Sequence, residues 1–283
     1  TTLPFVLHGA WLASRPDGTQ PAKVLLGLTA WTVLIYSLAG HKEWRFIHPL
    51  LPIMHIFAAK SLVDSFTASI RSDEKDPRRK HKHKGLPVKT THMVLIVSAL
   101  PLLFYLMFFH GRAQIDVMYY LRNLEPTKVK SVGFLMPCHS TPWQAYLHNP
   151  SLIREGRLWA LGCEPPLQGQ NLKTYRDQTD IFYENPTGYM VKHFPIAVDP
   201  KFPPSLFPSS KPGEIASKAS HRWRHEWPQY LILFGSLLKE PGFQRLLQHQ
   251  GYHEVWKAEY GWEGDSRRQG GVKVWKHNDS IFE

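Results

Sequence analysis

His41-Lys42-Glu43-Trp44-Arg45-Phe46 (HKEWRF) stands between two apolar stretches, and its reading decides the fold. Four ionisable side chains occupy the place where a hydrophobic run ends. Groups that costly to desolvate mark either a functional site or a set of depth anchors at a membrane boundary. On an α-helix His41 and Arg45 would share one face at i, i+4, and His48 and His55 would prolong it, giving a polar stripe on an apolar helix.

Working outward, Val24 to Gly40 and Thr90 to Gly111 contain no Asp, Glu, Lys or Arg and have the length of a spanning helix. Phe46 to Val63 is interrupted by His48, Pro49, Pro52, His55 and Lys60, yet it also reads as a span, with a broken helix packed against other protein as the alternative. Thr1 to Ser14 is uncharged and reads as the end of a further span. With no initiator Met and no charged n-region before a cleavage site, the chain is expected to be the C-terminal part of something larger.

Charge then sets an orientation. Arg71 to His92 holds eight Lys or Arg against three acids, five of the net +11 of the whole chain. By the positive-inside rule the basic loop over 71–89 is cytoplasmic, so HKEWRF and everything after Gly111 lie on the other side. A run such as Arg78 to Lys84 can also serve nucleic acid, but between two apolar spans it is a topology signal that touches anionic headgroups. Membrane lipids are therefore expected partners, and nucleic acid is not.

From Arg112 to Glu283 the composition becomes that of a soluble domain, long enough to bury its own core. Ser131 to Met136, Tyr230 to Phe234 and Val272 to Trp275 are β-type runs, and Phe243 to Gln250 has helical apolar spacing stopped by Gly251. The proline-rich stretch Pro186 to Pro212 reads as a long surface loop. The predicted fold class is thus integral membrane α-helical over 1–111 (the end of one span, then about 24–40, 46–63 and 90–111), followed by a soluble mixed α/β domain over 112–283.

Cys138 and Cys163 both fall in this domain. On the non-cytoplasmic side of a secretory membrane they are expected to pair as a disulfide. A thiol nucleophile at Cys138-His139-Ser140, or a zinc site adding His148 and Cys163, is the competing reading, but neither a C-x-x-C spacing nor a second ligand pair supports it. No metal or cofactor is expected.

The motifs HKEWRF with IHPLLPI, FLMPCHSTPWQAYLH at Phe134 to His148, CEPPL at Cys163 to Leu167 and DQTDIFY at Asp177 to Tyr183 together resemble glycosyltransferase family 22. The MPCHSTPW block and CEPPL resemble its glycolipid branch. The resemblance implies a GT-C-like helical core in the endoplasmic reticulum membrane with a lumenal C-terminal domain. It also implies dolichyl-phosphate-mannose as donor, and transfer of the third, α-1,2-linked mannose to a glycosylphosphatidylinositol (GPI) acceptor.

Under that resemblance His41, Lys42, Glu43 and Arg45 are candidate donor-phosphate and substrate contacts. Arg45 is the main clamp, because its planar fork suits phosphate oxygens. Glu43 would orient Lys42 or Arg45, or accept a sugar hydroxyl. The general base is expected upstream of this sequence, in a first lumenal loop. His139 and Ser140 are candidate substrate contacts, His48 and His55 core histidines, Trp44 an interfacial anchor, and Asn278 of the sequon Asn278-Asp279-Ser280 a glycosylation candidate. Two other functions fit parts of the pattern: a family member acting on lipid-linked oligosaccharide, and a membrane-anchored assembly subunit.

Overall fold

The computed structural model describes residues 2–39, 44–74, 86–150, 152, 156–166, 171, 173–209 and 223–278. The chain divides into two compact units, Thr1–Phe104 and Tyr105–Glu283.

The first unit is helical. Helix α1 (Leu3–Ser14) and helix α2 (Gln20–Leu38) each carry a proline in the first turn, where its missing N–H costs nothing. Trp44–Leu50 is a 3-10 helix leading into α3 (Leu51–Glu74), and α4 (Thr90–Val97) is followed by α5 (Leu100–Phe108). Three helical stretches among the described residues are long and apolar enough to cross a membrane: Gln20–Leu38, Arg45–Arg71 and Thr90–Asn123. No residue of α2, α4 or α5 is buried within the protein, so their apolar faces are uncovered.

Helices α1 and α3 do pack on each other. A Cβ at Gly9 would lie 1.9 Å from the Phe57 carbonyl oxygen, so only glycine permits the approach. Buried Ala13 and Ala58 keep the interface thin, and His8 Nδ1 meets Ser61 Oγ at 2.7 Å across it. Over the third expected span, 46–63, the chain is 3-10 helix to Leu50 and then helix α3, which runs on to Glu74.

The second unit is built on a mixed sheet. Its strands are β1 (Val132–Leu135), β2 (Leu158–Ala160), β3 (Tyr230–Phe234), β4 (Tyr252–Ala258) and β5 (Val272–His277), in the order β2-β1-β3-β5-β4. β1 runs parallel to both β2 and β3, and β5 is antiparallel to β3 and β4. All five residues of YLILF in β3 are buried, as expected of a central strand covered on both faces. Each such side chain contributes about 1.5–3 kcal/mol by leaving water.

One face of the sheet packs Leu135, Leu231, Leu233 and Trp275 against α8 (Gln178–Glu184), α9 (Pro186–His193) and α10 (Phe243–His249). The other packs Phe134, Ile232 and Val274 against α6 (Arg112–Asn123), with Trp143 and Leu147 of α7 (Trp143–Leu147) at its margin. Gly133 is required on β1, because a Cβ there would meet the Trp159 ring at 2.5 Å.

One sequence expectation is corrected here. Pro186 to Pro212 is not all loop: Pro186–His193 is helix α9, its N-cap Asn185 accepting the Gly188 N–H at 2.9 Å. Pro186 sits at the first helical position, where a fixed φ starts a helix and does not break one.

Candidate functional site

His41, Lys42 and Glu43 lie outside the described residues, as does the 75–85 part of the basic loop. Arg45 and His48 are described, and both are exposed. They do not lie on the predicted α-helical stripe. Pro49 and Pro52 supply no N–H, so the carbonyls of Arg45 and His48 receive no i→i−4 bond, and residues 44–50 adopt the tighter 3-10 form. At three residues per turn Arg45 and His48 eclipse each other on one side. The Arg45 guanidinium lies 5.8 Å from the centre of the Phe46 ring, and Phe46 in turn stacks on Tyr36 of α2 at 5.8 Å.

His48 and His55 are also not the core residues expected. Both are exposed, and the Nδ1 of His55 lies 2.7 Å from the Leu51 carbonyl one turn back.

In the second unit the motifs from the middle of the chain converge. Strands β1, β2 and β3 are parallel, so the loops after them leave from one end of the sheet, the end at which open α/β sheets hold ligands. Cys138 follows β1 and Cys163 follows β2, and a disulfide joins them with Cα atoms 5.9 Å apart. The DQTD segment holds the second loop from both sides: Gln178 Oε1 accepts the Gly162 N–H at 2.7 Å, and Thr179 donates N–H and Oγ1 to the Gly162 carbonyl at 3.1 and 3.0 Å. Asp177 caps α8 by accepting the Asp180 N–H at 2.7 Å, while burial raises its carboxyl above the ordinary value. The Tyr175 hydroxyl donates to the Glu164 carbonyl.

This end of the sheet is also polar on its rim. Tyr183 donates to the last carbonyl of β1, Leu135, at 3.3 Å, and burial keeps its phenol protonated. Arg267 lies 5.7 Å over the Tyr183 ring and 3.6 Å from Asp180. His139 stands exposed at the tip of the turn with a left-handed backbone, φ 59°. Ser140 closes the same turn, its hydroxyl donating to the Pro137 carbonyl, so its side chain serves the loop.

The zinc and thiol-nucleophile alternatives fail on this geometry. Cys138, His139 and Cys163 do place their ligand atoms within 4.8 Å of one another. Both sulfurs are bonded to each other, however, and a disulfide is neither a thiolate ligand nor a nucleophile. His148 caps α7 at φ 46° and is exposed.

Behind the loops lies a buried polar chain that sequence reasoning missed. Gln178 Nε2 donates to the Tyr189 oxygen at 2.8 Å and to the Pro208 carbonyl at 2.9 Å. The Tyr189 hydroxyl, 2.8 Å from His225 Nε2, is then free to donate to it. His225 stacks on Phe194 with centroids 4.6 Å apart, and full burial lowers its pKa to about 3, so the ring is neutral. The signal available in the sequence was the period-two alternation Trp223, His225, Trp227, which places the histidine on the same face as two indoles while Arg224 and Glu226 point the other way.

Comparison with known proteins places these features. The model of the Alg9-like mannosyltransferase family matches residues 1–148. The chain is 32% identical over 308 residues to "GPI mannosyltransferase 3" of Emericella nidulans, covering 97% of this chain and 43% of that protein. It is 34% identical to the protein of the same name in Aspergillus fumigatus, covering 97% and 38%. It is also 34% identical to "GPI alpha-1,2-mannosyltransferase 3" of Mus musculus, covering 69% and 31%. The chain thus spans about two fifths of the length of the fungal relatives. No solved structure matches it significantly.

Proposed function

Because the chain belongs to the Alg9-like mannosyltransferase family, we propose that it forms part of an endoplasmic reticulum membrane enzyme that adds the third, α-1,2-linked mannose to the GPI anchor precursor. Dolichyl-phosphate-mannose is the donor. The observation that carries this reading is the alignment of almost the whole chain, both units included, with fungal proteins named GPI mannosyltransferase 3, and of 69% of it with a mouse protein named GPI alpha-1,2-mannosyltransferase 3.

Two structural features support the setting. The uncovered apolar helices suit a bilayer, and a disulfide after β1 suits the oxidising lumen. In this arrangement the Trp44–Leu50 segment and the second unit lie on the lumenal side, and the 71–89 loop on the cytoplasmic side.

The chemistry follows from the charge that moves. The acceptor hydroxyl attacks the anomeric carbon of mannose, the bond from that carbon to the phosphate oxygen breaks, and dolichyl phosphate leaves as an anion. A carboxylate takes the hydroxyl proton, a role this reading assigns to residues upstream of the chain. Arg45, with Lys42 and His41 beside it in sequence, neutralises the phosphate as its charge develops. Glu43 orients that cluster, and His139, on a separate loop, contacts the glycolipid, with Ser140 closing the turn that presents it.

The test is rescue of cells that lack this mannosyltransferase with the full-length enzyme. Restored GPI anchoring is expected from the unaltered protein, and accumulation of the precursor bearing two mannoses from Arg45→Ala. Rescue of truncated lipid-linked oligosaccharide, with no effect on GPI precursors, would overturn the acceptor assignment. GPI rescue that survives inactivation of the upstream acids would favour an assembly subunit.

A further inference from the structure

Residues of the second unit build a collar where the last apolar helix ends. Leu106, Met107 and Phe108 close α5, Phe109 follows, and all four are exposed, Met107 to 76%. The loop between β4 and β5 is fastened to this point. The Tyr105 hydroxyl lies 2.9 Å from the Trp262 carbonyl and 3.3 Å from that of Tyr260. Gly111, the N-cap of α6, donates its N–H to Glu263 Oε1 at 3.3 Å, and the His110 ring lies 5.7 Å from the Trp262 ring. The Tyr260 hydroxyl bonds Asp116 on α6. Gly261 lies between, at φ +94°, with the Tyr105 oxygen 3.4 Å from where a Cβ would stand.

A loop held this firmly presents its largest apolar side chain outward: Trp262 is 64% exposed. In a domain surrounded by water that arrangement has no driving force. Tyr105 precedes the end of α5 at Phe108 by three residues, so at about 1.5 Å per residue its Cα lies roughly 4 to 5 Å short of the helix end, near the boundary between acyl chains and headgroups. At that boundary a carbonyl finds less water and is better satisfied by protein, which the Tyr105 hydroxyl does for Trp262 with its one proton, the Tyr260 carbonyl standing farther off. An indole at the same level has the apolar body and polar tip that headgroups favour.

We infer that Tyr260-Gly261-Trp262-Glu263 is a lipid-facing wedge. Trp262 lies in the headgroup region beside His110, and Tyr105 clamps the loop at that depth, so the β4–β5 edge of the sheet rests on the phospholipid surface. The inference rests on the membrane setting proposed above.

The test uses the full chain in phosphatidylcholine vesicles, labelled with an environment-sensitive fluorophore at Trp262→Cys, with Leu103→Cys and Lys201→Cys as lipid and water references. The Cys138–Cys163 bridge leaves neither native sulfur to react. The label at 262 is expected to emit to the blue of that at 201. It should be quenched more by a doxyl lipid labelled near the headgroup than by one labelled near the chain end. Tyr105→Phe should shift the 262 label toward the aqueous spectrum and leave the 103 label unmoved. A 262 label that behaves like 201 while 103 reports lipid would overturn the wedge and leave the membrane setting standing; a 103 label in water would overturn the setting itself. An unmoved 262 label in Tyr105→Phe would overturn the clamp. Should Trp262→Cys not fold, the same label at Gly264→Cys is read by the same criteria.

Discussion

Arg45 and His225 show how differently one ionisable residue can be used. Arg45 is exposed at the turn before a long apolar helix, and its planar guanidinium offers two parallel donors to a phosphate. Removing such a contact to developing charge costs about 2.7 to 4 kcal/mol, or roughly a hundredfold to a thousandfold in rate. Arg45→Ala in the full-length enzyme is expected to lower mannose transfer by that factor at normal protein level. Arg45→Lys, which keeps the charge and loses the fork, should also fall well short of full activity in microsomal assays. His225 instead works by being neutral. Its folded pKa of about 3 lies below the ordinary 6.5, so the unfolded chain binds more protons between those values. Stability is then complete above pH 6.5 and falls as the pH drops toward 3, by about 1.4 kcal/mol per unit. Denaturant melts of the full chain should therefore lose about 2 kcal/mol between pH 6.5 and 5. His225→Gln, which still accepts from Tyr189 and cannot titrate, should flatten that slope.

Among elements, the disulfide and the α1–α3 crossing carry the clearest consequences. The bridge closes a separation of 25 residues, which in the chain-entropy account is worth about 3 kcal/mol. Cys163→Ser should lower the midpoint of thermal unfolding, and in the unaltered protein both cysteines should resist alkylation until reduced. Gly9→Leu should separate α1 from α3, because the new Cβ would overlap the Phe57 carbonyl; reduced protein yield with α2 and the second unit intact by limited proteolysis would verify it. These elements also mark what the sequence made legible. The long apolar helices and β3 were readable because each is a long or uniformly buried run. β2 is three residues long, too short for a pattern, and the alternation of β4 is broken by a register shift between Glu254 and Trp256. Helix α6, with Ala113, Val117 and Leu121 buried at spacings of four, was readable and was missed. Residue types pointed to the cysteine pair, which the fold joins, and to the HKEWRF cluster, of which residues 41–43 lie outside the described residues. The 3-10 form of residues 44–50 depended on donors that two prolines remove, a local effect that periodicity does not register.

At the scale of the molecule, the proposed topology makes a compartment prediction. Asn278 is exposed at the end of β5 within an N-x-S sequon, so the lumenal placement predicts glycan addition there wherever the site is accessible. In sealed microsomes protease should spare the second unit until detergent is added, while cleaving the 71–89 loop from outside. Digestion of the second unit without detergent would reverse the orientation. One feature of the sheet reaches further. The family-wide part of the chain ends at residue 148, after β1 and α7 but before the partners that β1 pairs with on either side. A premature stop codon shortly beyond that point would leave β1 with two bare edges and Cys138 as an orphan thiol in the secretory pathway. Such a product would retain the three helical stretches that, among the described residues, are long and apolar enough to cross a membrane. It is expected to insert normally, form mixed disulfides with resident oxidoreductases and be cleared by quality control. Late truncations should then behave as abundance defects even though the HKEWRF cluster is intact.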